Sequence, residues 1–319
     1  MAVAAIHAIP APVSVPRWFL TACNDERGAT LGRMTFPRSL PAFMRRFGDD
    51  DACRAALAAW RWGVGFDCPA CGNATAWVGA GGLRTCRACR RPVSLTAGTV
   101  LHDSHLPLST WLAAAYIVAS GRGTNSLTLA SQLGVANKET ALLVLRRFRL
   151  AMATSLVEPL AGEVEADETL VGGITPGAKG RTTKGTSKRM VLVLAERGSG
   201  RARMRVIPDA TSPSLETLIV SLVAPGARVI TDGHAGYQHL PDLGFTWDRR
   251  PHPPGGMTHD SPHATPTADG LIAAFKDWLR ATYRKPPVDL DPYLAEFCFR
   301  REFRDPAVAV PLLLTAARP

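Results

Sequence analysis

Cys68 and Cys71 form one Cys-x-x-Cys pair, Cys86 and Cys89 form a second, and 14 residues separate the two. No other feature constrains the folding of this chain so tightly. Two short hairpins must bring the pairs together, because four thiolates in tetrahedral array satisfy one Zn²⁺ ion. A redox Cys-x-x-Cys would not come as two matched pairs. The predicted element is a zinc ribbon, with Cys68, Cys71, Cys86 and Cys89 as ligands of a structural zinc. The other three of the seven cysteines, Cys23, Cys53 and Cys298, are scattered. That is the usage of a metal site in an intracellular setting, not of a disulfide framework. Arg84, Arg87, Arg90 and Arg91 surround the second pair. They read either as phosphate contacts or as a solvated face.

Beyond the ribbon the chain has material for two or three domains: 319 residues, 46% of them hydrophobic and 20% charged. Its net charge of +10 points to a polyanionic partner, most simply nucleic acid. No apolar run approaches the roughly 20 residues of a membrane span. The opening "MAVAAIHAIPAPVSVP" is apolar but broken by three prolines and has no basic start. It reads as neither signal peptide nor anchor, and residues 1–33 are expected to be a disordered extension. The expected organisation then runs through a helical lead-in and ribbon over 34–105 and a helix-turn-helix region over 106–155. An α/β domain follows over 160–310. A cytoplasmic, nucleoid-associated protein is the expectation.

In the second region, "PLSTWLAAAYIVASG" precedes "NSLTLASQLGVANKETALLVLRRFRLAM". The second piece has helix-turn-helix character, with Ala130 inside its first helix, Gly134 at the turn, and Leu127, Leu133, Val135, Leu142 and Leu145 spaced to pack the pair. Asn137, Lys138, Glu139 and Thr140 would then begin a recognition helix, with Arg146, Arg147 and Arg149 beyond it. An ordinary helical hairpin with a glycine turn is the other reading.

From residue 163 the pattern becomes strand, strand, strand, helix, strand, helix, helix. "EVEADETL", "RMVLVLAER" and "ARMRVIPD" read as a meander, "SPSLETLIVSLVA" as a helix, and "ARVITD" as a buried strand ending in Asp232. "TADGLIAAFKDWLRATYR" and "DPYLAEFCFRREFRDP" read as helices. This order is that of a ribonuclease-H-like core, in which the strand of Asp232 lies beside the strand of Asp167. Two carboxylates from neighbouring strands then share a cleft, where they repel unless a divalent cation compensates them. Hard oxygen donors suit Mg²⁺ or Mn²⁺. Glu168 points to the opposite face and reads as structural. The glycine-rich stretch 172–189 carries Lys179, Arg181, Lys184, Lys188 and Arg189 and no acid, and can follow a phosphate backbone. His234 reads as a turn residue or a phosphate-orienting group. His252, His259 and His263 have no ligand-like spacing.

Taken in order, the ribbon, "SLTAGTVLHDSHLPLSTWLAAAYIVASG", the helix pair, "VEADETLVGG", "TDGHAGY" and "YLAEFCFR" resemble the zinc-ribbon insertion-sequence transposases of the insertion sequence 1595 superfamily. The resemblance covers roughly residues 36–304. It implies a multidomain α/β protein, a DDE-type transposase that cuts element ends and joins them to target double-stranded DNA with Mg²⁺ or Mn²⁺, as a homodimer on paired ends. It implies Asp167 and Asp232 as the first two catalytic, metal-binding aspartates. At the third position the family pattern has Asn, or sometimes Glu; anchoring on Phe275 and Tyr283 puts Gly270 where the Asn belongs and Ala273 where a following Glu often stands. Asp269, one residue away and 37 residues after Asp232, is the nearby candidate. Arg280 falls at the position of a downstream Lys, and Glu302 where the family commonly has Asn. A catalytically degenerate relic that only binds DNA is the alternative those departures raise.

Overall fold

The computed structural model describes residues 37, 39–63, 65–121, 123–172, 188–250, 265–283 and 287–316. The extension expected over 1–33, the loop residues Lys179, Arg181 and Lys184, and His252, His259 and His263 lie outside the described residues. The chain forms two compact units, one running to Val157 and resuming at Arg304, the other spanning Glu158–Phe303.

In the first unit, Asp49 caps α2 (Asp50–Trp62), which follows the short α1 (Leu40–Arg46); the Asp49 side chain accepts from the Ala52 N–H at 2.7 Å. Acidic residues at a helix N-terminus satisfy orphan N–H groups and complement the dipole. The ribbon follows as β1 (Ala76–Val78), β2 (Arg84–Cys86) and β3 (Pro92–Val93), an antiparallel sheet in that order. Arg61 fastens the exit from the ribbon to α2, donating to the carbonyls of Ser94, Leu95 and Ala97.

Three helices come next: α3 (Leu108–Ser120), α4 (Ser126–Leu133) and α5 (Lys138–Ser155). α3 begins after Pro107, which supplies no capping side chain. Asp50 of α2 does so instead, accepting from the Ser109 N–H at 3.1 Å. Gly134 ends α4 at φ 66°, where a Cβ would be strained, and Asn137 caps α5 by accepting from the Glu139 N–H at 2.8 Å. The expected turn is there, but its packing differs from the expectation in one residue. Leu127 is 66% exposed, and Leu129, half a turn on, is the buried residue of α4 with Ala130. Leu145 is buried as expected, among Ala141, Val144 and Phe148.

The sequence pattern extends the last domain to residue 310. The chain instead returns to the first unit at Arg304, where α9 (Pro306–Thr315) packs on α3, α5 and α2. Apolar all round ("PAVAVPLLLT"), such a helix must be buried. Its residues from Ala309 to Leu314 are indeed interior, with Val310, Leu313 and Leu314 fully covered. Just beyond it, the Ala316 carbonyl accepts from the Val100 N–H at 3.2 Å.

The second unit is built on a five-stranded sheet of β4 (Glu163–Val171), β5 (Arg189–Glu196), β6 (Ala202–Ile207), β7 (Arg228–Thr231) and β8 (Thr246–Arg249). Its order is β6-β5-β4-β7-β8; β4, β5 and β6 are antiparallel, and β7 and β8 run parallel to β4. The meander and the neighbouring Asp167 and Asp232 strands are as expected. Alternation divides the faces. Val164, Ala166, Leu192 and Leu194 join Leu215 and Ile219 of α6 (Ser212–Leu222) in one core. On the other face α7 (Pro266–Thr282) packs on β4 and β5, and α8 (Asp291–Glu302) on β6. Ala268, Leu271, Phe275 and Leu279 form the buried stripe of α7 at helical spacing.

Candidate metal centre and active site

In the ribbon, each Cys-x-x-Cys closes a tight turn with a residue of positive φ just after it, Gly72 at 69° and Arg90 at 61°. The Gly72 N–H donates to the Cys68 carbonyl at 2.8 Å and the Arg90 N–H to the Cys86 carbonyl at 3.1 Å. These turns aim four sulfurs at one point. Their ligand atoms all lie within 4.8 Å of one another, with Cys68 Sγ 3.6 Å from Cys89 Sγ and Cys71 Sγ 3.6 Å from Cys86 Sγ. A tetrahedron with Zn–S of about 2.3 Å has edges of about 3.8 Å, so the four thiolates fit zinc. Outside the ligands, Arg87 and Arg90 lie over the half-exposed Trp77 ring, at 5.7 and 5.3 Å.

The carboxylate site grows from β4. Register pairs Glu163, Val164 and Glu165 with Arg228, Val229 and Ile230 of β7. Continued two residues, it sets Asp167 level with Asp232, one strand spacing of about 4.8 Å away. Asp232 lies just past the end of β7 and accepts from the His234 N–H at 3.0 Å. That turn is pinned from both sides. His234 Nδ1 accepts from the Gly236 N–H at 3.1 Å, the duller of its two expected roles, and the Tyr237 hydroxyl donates to Glu168. Glu168 thus points to the face opposite Asp167, as expected. Burial raises the Tyr237 hydroxyl well above its usual range, and the Glu168 carboxylate adds to it.

Asp269 lies in the first turn of α7, on the Asp167 side of the sheet. Burial pushes the Asp167 carboxyl up to about 7, against the pull of the Glu168 N–H at 2.8 Å; the charges of Glu168, Asp269 and Asp232 push further upward. Three aspartates therefore share one electrostatic environment. Among the described residues only the cysteine quartet gathers three or more metal-ligand atoms within 4.8 Å of one another, so the carboxylates are close but not drawn to chelating distance. All-oxygen donors whose charges gather around the raised Asp167 carboxyl fit a hard divalent cation, which relieves the repulsion. Gly270, aligned with the family's third ligand, is on the exposed side of α7 with open space where a Cβ would stand. Asp269 is half-buried.

Two further polar residues that the sequence did not single out lie on the Asp167 side of β4. Lys276, seven residues after Asp269 and so on nearly the same helix face, donates from Nζ to Thr169 Oγ1 of β4 at 2.7 Å. Glu165, fully buried, accepts from the Thr267 N–H at 2.6 Å and the Ala268 N–H at 2.9 Å at the start of α7. A period-two count places Glu165 on the face of Asp167, but the partner 102 residues away leaves no local signal.

The expected DNA contacts divide. Arg146 is exposed. Arg147 is not turned outward as expected; its guanidinium donates to the Val100 and His102 carbonyls at 2.8 and 3.0 Å and lies over the Trp111 ring. Arg149 is buried. Asn137, Lys138 and Thr140 are at the start of α5, with Lys138 3.8 Å from Glu139. Lys188 is half-buried before β5. Arg280 is exposed and ion-paired with Asp277. Glu302, where the family has Asn, holds Arg201 at 3.4 Å and the buried Arg203 at 2.7 Å.

Residues 159–302 match the family described as ISXO2-like transposase domain, and residues 48–92 match the transposase zinc-ribbon domain. The chain is 29% identical to a protein of Halobacterium salinarum described as "Uncharacterized protein in transposable element ISH50", over a 270-residue alignment that covers 78% of this chain and 90% of the relative. Among solved structures, a pre-cleavage Mos1 transpososome matches 59% of this chain and 77% of its own at 11% identity; its TM-score of 0.21 is too low to bear on the fold.

Proposed function

We propose that this chain, which belongs to the zinc-ribbon insertion-sequence transposases of the insertion sequence 1595 superfamily, binds the ends of its element and catalyses metal-dependent cleavage and strand transfer of DNA. The sheet order supports a ribonuclease-H-like catalytic domain. The single observation that carries the reading is the shared environment of Asp167, Asp232 and Asp269, in which the Asp167 carboxyl is pushed up to about 7. Asp167, Asp232 and Asp269 would hold Mg²⁺ or Mn²⁺, which would supply activation of a water or a 3′-hydroxyl and charge stabilisation at the leaving oxygen.

In that reading Asp167 is the most rigid ligand, fixed in the middle of the sheet. Asp232 is presented by a turn locked through Tyr237 and Glu168, and Asp269 by the start of α7. Lys276 puts a cation on the same face, where a DNA phosphate would meet it. The ribbon and the helix-turn-helix formed by α4 and α5 bind the terminal inverted repeats, through Asn137, Lys138, Thr140 and Arg146. Lys179, Arg181, Lys184, Lys188 and Arg280 follow the phosphate backbone, and target DNA enters the same cleft. Two chains act together on paired ends in the nucleoid.

Strand cleavage of a DNA fragment bearing the element's own end, with Mg²⁺ or Mn²⁺, tests the proposal against Asp167→Ala, Asp232→Ala and Asp269→Ala. Activity lost in all three supports the triad; activity surviving in Asp269→Ala assigns the third ligand elsewhere. Gly270 at the family's Asn position favours a second reading, a degenerate copy that binds ends without cutting. Wild-type protein that shifts the end fragment but never nicks it would establish that reading.

A further inference from the structure

Helix α7 starts without the cap a helix usually brings with it. The N–H groups of its first turn need acceptors, yet Thr265 at the N-cap makes no side-chain capping bond, and Pro266 at the first position has no N–H of its own. The acceptor comes from the middle of β4. Glu165 Oε2 takes the N–H groups of Thr267 and Ala268 at 2.6 and 2.9 Å, and Oε1 takes the Thr267 hydroxyl at 3.0 Å and Arg197 Nε at 2.6 Å. Four donors thus surround a carboxylate that has no exposure to solvent. A buried negative charge is tolerated there because Arg197 neutralises it and the helix dipole favours an anion at this end.

The residue after Ala268 is Asp269, and the residue two before Asp167 on the same face is Glu165. We infer that Glu165 is a positioning residue for the carboxylate centre: one rigid strand carries Asp167 and, through Glu165, fixes the helix start that carries Asp269. This rests on the reading of the three aspartates as a divalent-cation site. A merely structural role would be stability alone, an ion pair with Arg197 and a cap, with no bearing on what Asp269 binds.

The test is Mn²⁺ titration of the full zinc-loaded chain without DNA, free Mn²⁺ being read by electron paramagnetic resonance. Asp269→Asn is expected to weaken Mn²⁺ binding by about 10-fold, and Glu165→Gln, which replaces one accepting oxygen with an NH₂ donor facing other donors, by a similar factor. Because Glu165 acts through Asp269, the double variant is expected to bind no more weakly than Asp269→Asn alone, a coupling that independent sites do not give. Thr267→Val, which loses only the hydroxyl bond, is expected to weaken binding in the same direction by less. Factors that multiply in the double variant overturn the inference. So does Glu165→Gln that binds Mn²⁺ like wild type while the amides of Thr267 and Ala268 exchange faster, since that is a cap and nothing more. Wild type that takes up no Mn²⁺ overturns the metal-site reading itself, and the positioning role with it.

Discussion

Replacing Asp167 by Asn should make the divalent-free protein more stable at alkaline pH, although it removes a proposed catalytic group. The Asp167 carboxyl moves from its ordinary 3.8 to about 7 in the folded chain, chiefly by burial and then by neighbouring carboxylates. The folded value is raised, so the fold disfavours the ionised form. Below pH 3.8 both states hold the proton and nothing is lost. Between 3.8 and 7 the unfolded chain releases the proton that the folded chain keeps, and stability falls as pH rises. Above 7 the whole cost is present, about 4 kcal/mol at 1.36 kcal/mol per pH unit. Asn carries no charge, so its advantage over Asp should approach that figure at about pH 8 and shrink to about 1 kcal/mol at about pH 4.5. For a unit of this size 1 kcal/mol corresponds to about 3 °C in Tm, giving a rise of about 10 °C at the higher pH. Scanning calorimetry of the two proteins with chelator at both pH values measures this. Added Mg²⁺ should raise the wild-type transition and leave that of Asp167→Asn almost unmoved. A variant that melts at or below wild type at the higher pH, or a gain of the same size at both, would refute the account of Asp167 as a carboxylate held un-ionised chiefly by burial.

Three further outcomes are expected. Cys86→Ser should release zinc, detectable with a chromogenic chelator, and unfold the ribbon while the transition of the second unit stays in place, because a structural zinc supplies folding energy outright. Glu302→Ala takes the carboxylate from the Arg203 guanidinium, which is 1% exposed and keeps only the Ala202 and Glu158 carbonyls as acceptors; losing its charge partner should cost about 3–5 kcal/mol in urea denaturation, and a loss under about 1 kcal/mol would contradict the pairing. Tyr237→Phe removes the buried hydroxyl bonded to Glu168. It should cost about 1–3 kcal/mol and speed amide exchange at His234 and Gly236 while zinc content is unchanged.

The zinc ribbon was legible because its four ligands lie within 22 residues and tetrahedral geometry allows few alternatives. The meander and the buried strand before Asp232 were legible because strand patterns are local, and strand order then placed Asp232 beside Asp167. Those features the sequence determined by itself. Contacts distant along the chain decided the rest. Helix phase, set by burying Ala268, Leu271, Phe275 and Leu279, put Asp269 on the half-buried side and Gly270 outside. Packing turned Leu127 out, Leu129 in, and Arg147 toward two carbonyls instead of solvent. The return of the chain at Arg304 followed from the need to bury an apolar helix, which no local signal located. Glu165 is the plainest case: one of four acids in its strand, it has no assignable purpose until the fold sets a helix start against it, 102 residues away.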